Sequence, residues 1–158
     1  MKVRNEIAIK MSTKKTWEVM GNQFDQIHIW ASFFIDSKPV GEKKFNEITF
    51  SGRDVVVQNG ENTHSLDVFD MKNYILSYTV TAGAPPFAEK AEAKWSLEVI
   101  DENNCRAIID VIMELKNVLP EEKVTEVSMW LNKSSQDMLE EMKCYVETGK
   151  LHARKLAQ

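Results

Sequence analysis

The spacing of hydrophobic and polar positions changes character three times along this chain. Val3, Asn5, Ile7, Ile9 and Met11 alternate with Arg4, Glu6, Ala8 and Lys10, which predicts a strand with one face turned inward. A short stretch without that alternation follows. From Phe33 to Lys116 the period of two returns in segments broken by turn residues, as in an antiparallel meander. The last change is to a helical period. Val127, Leu131, Met138, Met142 and Tyr145 fall three, four or seven residues apart, so Glu121 to Thr148 reads as one amphipathic helix.

Ser12-Thr13 offers an N-cap for a short helix through Trp17, Val19 and Met20, and Gly21 is expected to end it. Asp25 is expected to cap a second short helix holding Ile27, His28, Ile29 and Trp30. Strands are then predicted at Phe33–Lys38, Lys44–Ser51 and Asp54–Gln58, with Asn59-Gly60 as a hairpin turn. Thr63–Asp70 turns at Met71-Lys72-Asn73 into Tyr74–Thr81, and Gly83-Ala84-Pro85-Pro86 makes the main break. Glu89–Ile100 should bury Ala91, Ala93, Trp95, Leu97 and Val99. Cys105–Lys116 should bury Ala107, Ile109, Val111, Met113 and Leu115. Pro120, Glu121 and Glu122 suit the start of the long helix, where the dipole favours acidic groups. The basic tail with Lys150, Arg154 and Lys155 reads as a solvated helix end.

A long terminal helix must bury its apolar stripe, and the inner face of the meander is its available partner. The expected fold is α+β: a curved antiparallel sheet of six or seven strands wrapped around the helix, as one domain over residues 1–158. Such a wrap leaves a cavity between sheet and helix, where small molecules bind. Composition adds a limit more than a direction. The net charge of −4 gives no electrostatic reason to expect nucleic acid or an anionic membrane. The two short helices carry Asp25 and Gln26 where a DNA-reading helix needs basic groups. No apolar run is long enough for membrane insertion. Met1-Lys2-Val3-Arg4 leads directly into alternation without a secretory segment, and Cys105 and Cys144 form no CxxC pair. A reducing, cytoplasmic setting is the expectation.

The ordered set of elements, a strand, two short helices, a meander and a long helix, resembles the START-like (SRPBCC) superfamily and its helix-grip fold. The polyketide cyclase/dehydrase and lipid-transport-like branch is the most similar. Ser12-Thr13-Lys14-Lys15-Thr16-Trp17-Glu18-Val19 looks like that family's first helix, although Ser12-Thr13 stands where many relatives carry Pro. Trp30 resembles the Trp that follows the second helix, and Ser77-Tyr78 resembles a family strand motif. The likeness runs from the first strand to the end of the long helix. It implies a cavity for a small hydrophobic molecule.

His64 shares a strand face with Leu66, Val68 and Asp70. It reads either as an acid–base or donor group in a half-dry cavity or as a strand-end histidine bonded to water or backbone. Tyr74 and Tyr78 share a face with Leu76 and Val80; they are ligand-orienting phenols or plain core aromatics. Trp95 is a stacking surface or the largest block of the core. Asn5 interrupts an inward stripe and needs a partner if buried. His28 and Trp30 lie where the mouth of the cavity is expected, and Met138 and Met142 form a soft wall. Ile7, Leu66, Leu97, Val111 and Met113 complete the expected lining. Catalytic candidates are restricted to His64 and Tyr78. No GxSxG elbow, HExxH, GxGxxG or phosphate loop occurs, and His28, His64 and His152 show no ligand spacing, so neither metal nor cofactor is expected. Three functions stay open: a carrier of a lipid or polyketide-like molecule, a cyclase or dehydratase using the same cavity, and a module that binds partner proteins. Oligomeric state does not follow from the sequence.

Overall fold

The computed structural model describes residues 1–158. Its elements are β1 (Lys2–Ile9), α1 (Thr13–Trp17), β2 (Asp36–Val40), β3 (Gly52–Val57), β4 (Gly60–Asp70), β5 (Ile75–Ala82), β6 (Ala88–Asp101), β7 (Asn104–Leu115), α2 (Glu121–Thr148) and α3 (Ala153–Leu156). Between α1 and β2 lie a π-helical turn at Glu18–Asn22 and a 3-10 segment at Phe24–Ile29. The seven strands form one antiparallel sheet in the order β1-β7-β6-β5-β4-β3-β2. Strands β2 to β7 are thus a pure meander, and β1 closes against β7. No helix is long and apolar enough to cross a membrane.

The long helix has the predicted bounds, starting after Pro120 and ending at Gly149. Gly149 adopts φ +69°, which lets its N–H reach Tyr145 O at 2.9 Å and close the last turn. Two apolar clusters fill the space between α2 and the concave face. Met138, Leu139 and Met142 enter the larger one with Ile9, Trp17, Leu66, Trp95, Leu97, Ala107 and Ile109. Val127 and Leu131 enter a smaller one with Val3, Ala88, Ala91 and Met113. Val111 packs against both. Of the predicted inward sets of β6 and β7 most residues are buried, Val111 and Leu115 are half-buried, and Val99 is 65% exposed beside the irregular pairing that closes the β6–β7 hairpin.

Several expectations need correction. Lys44–Ser51 forms no strand, and the second strand begins at Asp36 instead of Phe33. Gly21 does not end a helix. It lies inside the π-helical turn, where a Cβ would overlap the Trp17 indole. Asp25 is no N-cap: Gln23 holds that place, with no side-chain bond to the helix. A bulge between Leu66 and Val68 reverses the face of the second half of β4, so Phe69 is buried and Val68 exposed. Tyr74 belongs to the preceding turn at φ +57° and not to β5. Of the basic tail, Lys150 is exposed as expected, whereas Arg154 and Lys155 are half-buried. Arg154 folds back to bond Glu141 and Glu140 on α2, and Lys155 Nζ donates to Phe34 O at 2.9 Å.

Candidate functional site

The short segment after β1 forms a wall over the inner face of the sheet. Ser12 Oγ accepts from Lys15 N and starts α1, as its place before the helix suggests. Backbone hydrogen bonding then loosens into the π-helical turn and the 3-10 segment, which is kinked at Gln26. Both are less favourable than α-helix, and π-helical turns are common at functional sites. What holds the wall is burial of Met20, Phe24, Ile27 and Trp30. Behind it lies a void of about 10 Å³, room for roughly one water. Val19, Met20, Gln23, Phe24, Ile27 and Trp30 line it from the wall, and Arg53, Leu76 and Trp95 from the sheet.

Arg53 is the unusual member, a guanidinium only 2% exposed. It pairs across the β3–β4 ladder with His64, so the two side chains leave the sheet on one face. Gly52 permits this close pairing, since a Cβ there would stand 2.5 Å from His64 O. Arg53 Nε donates to His64 Nδ1 at 3.1 Å, and Nη1 donates to Phe24 O at 2.8 Å. Its Cζ lies 3.8 Å from the Phe24 ring centre and 5.0 Å from that of Tyr78. Such faces attract a desolvated cation. No carboxylate forms a salt bridge with it. Burial pushes its pKa down to about 10, opposed by the Tyr78 phenol and by the Asp25 carboxyl. It remains a cation at neutral pH. Burial also raises the Asp25 carboxyl, against backbone hydrogen bonding and the charges of Arg53 and His28.

His64 is 5% exposed, and its ring stacks on Tyr78 with centres 4.6 Å apart and planes at 10°. Arg53 Nε–H is always a donor, so Nδ1 must be the acceptor and the neutral ring carries its proton on Nε2. Burial first, and then the Arg53 charge, hold the imidazole pKa well below its usual range. His64 therefore positions Arg53. With Nδ1 occupied and protonation opposed, it is not poised to move protons near neutral pH.

Sequence comparison alone is silent here: no family model matches the chain, and no curated protein does either. Comparison of folds is not. XoxI from Bacillus cereus superposes with a TM-score of 0.77 at 15% identity, over 96% of this chain and 99% of that one. A START superfamily protein from Mycobacterium smegmatis gives 0.68 at 13% identity, covering 88% and 94%. Ara h 8.0201 gives 0.69 at 19% identity, covering 92% and 97%. The fold is the START-like helix grip.

Within this helix grip the expected lining residues separate into groups. Trp30 and Trp95 reach the void, with ring centres 6.4 Å apart. His64 and Tyr78 lie beside it, joined through Arg53. Leu66, Leu97, Met138 and Met142 are buried in the large cluster, while Ile7 packs at its margin. Met113 belongs to the other cluster. Asn5 Nδ2 donates to Asn132 O and Oδ1, tying β1 to α2. Tyr74 packs edge-on against Trp17, centres 5.9 Å apart, away from the void. His28 is held by Ser37 Oγ at 2.6 Å and pins the 3-10 segment to β2. The expected cavity under the long helix is packed, and the void sits under the short segment instead. Arg53 was missed because Ser51-Gly52 reads as a turn. Starting the strand at Gly52 puts Arg53, Val55 and Val57 on one face, and that alternation was the available signal.

Proposed function

We propose that this protein binds a small hydrophobic molecule between the sheet and the Val19–Trp30 wall. The START-like fold supports the class of function, and the observation that carries the site is the void itself. Seven of its nine lining residues are hydrophobic, and four of the nine lie in the non-α helical turns of the wall, with Gln23 and Trp30 at their ends. Ligand pockets usually enclose about 300–1,000 Å³. The void of about 10 Å³ is far smaller than that, so binding requires the wall to move outward. The lipid or polyketide-like identity expected from the family resemblance belongs to this reading. A cyclase or dehydratase is less well supported, because the candidate proton-moving group His64 is neutral and engaged by Arg53.

Native mass spectrometry of freshly purified protein, followed by organic extraction, tests the reading. An equimolar apolar adduct is expected. Titration with an apolar fluorescent dye should shift the amide resonances of Val19 to Trp30 while leaving those of β6 and β7 outside the site in place. A clean mass, together with unchanged amides at saturating dye, would remove the binding function.

A further inference from the structure

We infer that the molecule bound at this void carries a carboxylate, and that Arg53 with the Trp30 indole N–H forms its anchor. The inference rests on the binding reading above and adds the chemistry of the ligand. Two independent observations lead to it. One is the buried guanidinium that lines the void, bonded to His64 and to Phe24 O and without a salt-bridged carboxylate. The other is Trp30: the residue is 4% exposed, its Nε1 is fully buried, and no acceptor lies within reach. An unpaired buried donor is costly, so its persistence in a residue that lines the same void as Arg53 marks a place for an acceptor from outside.

The rest of the lining narrows the choice. The walls are otherwise apolar except for the Gln23 amide. One fixed positive charge, held by aromatic faces and without a salt-bridged carboxylate, matches one negative charge. A planar guanidinium fork pairs with a planar carboxylate. A doubly charged phosphate would bring a second charge into an apolar chamber with nothing to balance it. The predicted ligand is an apolar body with a single acid group, its head at Arg53 and its body against Trp30, Trp95, Phe24 and Ile27. His64 contributes as a positioning residue, holding Arg53 Nε where the guanidinium lines the void.

Octanoate and octanol are the probes, equal in chain and different in head. By fluorescence titration at neutral pH, octanoate should bind wild type roughly tenfold tighter than octanol, the difference one charged hydrogen-bonded contact provides. Arg53→Met should reduce that preference to within about twofold. Because Arg53→Met can fail to fold, a second readout uses wild type alone. The indole ¹H–¹⁵N signal of Trp30 should move further on octanoate addition than with octanol. Equal binding of the two probes to wild type, with equal Trp30 shifts, overturns the acid anchor and leaves the pocket standing. Binding of neither probe, nor of the apolar dye, overturns the pocket itself.

Discussion

Replacing Arg154 by Met tests how the end of the chain holds the wall. Glu141 has no exposed surface, although it carries a carboxylate on the middle of α2. Ser32 satisfies part of it, Oγ donating to Oε1 at 2.5 Å and N donating to Oε2 at 2.8 Å. The balancing charge comes from Arg154, whose Nε donates to Oε1 at 2.9 Å. Arg154 Nη2 also reaches Glu140 Oε2 at 2.9 Å and Asp137 O at 3.2 Å. Lys155 and Gln158 bond the carbonyls of Phe34 and Ser32, so the tail straps the loop that follows the wall onto α2.

Removing one partner of a buried ion pair costs about 3–5 kcal/mol, because a buried charge is left behind. The Arg154 side chain is 33% exposed, so water can reach the vacated place and the low end applies. Arg154→Met should therefore lower stability by about 3 kcal/mol and Tm by about 6–12 °C for a domain of this size. Urea unfolding followed by circular dichroism measures the loss. Glu141→Leu in the same chain removes the stranded charge, so the double variant should be less destabilised than the sum of the two singles. A single-variant loss below about 0.5 kcal/mol, or strictly additive losses, would refute the pairing.

Two further perturbations bear on the wall and its floor. Between the depressed folded pKa of His64 and its ordinary 6.5, the unfolded chain holds a proton that the native one refuses, so stability must fall with falling pH. Wild type should lose up to about 1.4 kcal/mol per pH unit more than His64→Gln below pH 6.5, and parallel stability curves there would sink the claim. Gly21→Ala places a methyl group where the Trp17 indole already stands. Urea denaturation should show a loss of about 1–3 kcal/mol, the usual cost of overpacking, and an unchanged midpoint would mean that the turn yields freely.

How much of this was legible in the chain depended on whether local and tertiary demands agreed. Period and capping agreed over Glu121–Thr148, and the helix has the predicted bounds. They agreed again over β6 and β7, where long clean alternation left little choice of register. Between Phe33 and Ser51 the apolar residues Phe34, Ile48 and Phe50 pack into the large cluster without forming the predicted strands. Burial there is a tertiary fact with no local period. The bulge in β4 defeats strict alternation for the same reason, since one extra residue reverses the face from Val68 onward.

The candidate site was hardest to read because its central residue contradicts the pattern that predicts burial. Arginine is among the residues least often buried, so a search along apolar faces passes over it. Yet Arg53 occupies an inward position of β3, opposite His64, with Phe24 and Tyr78 around its charge. A core selected for stability alone would do as well with an apolar side chain of similar volume, because taking a charge out of water costs several kcal/mol. The folded chain offsets that cost only in part, through two hydrogen bonds and aromatic faces, and leaves Trp30 Nε1 with nothing to bond. Both expenses fall on one void beneath the least regular helical segment of the molecule. An acidic ligand resolves them together, supplying a counter-charge for Arg53 and an acceptor for the Trp30 indole, and so turns a stability cost into selectivity.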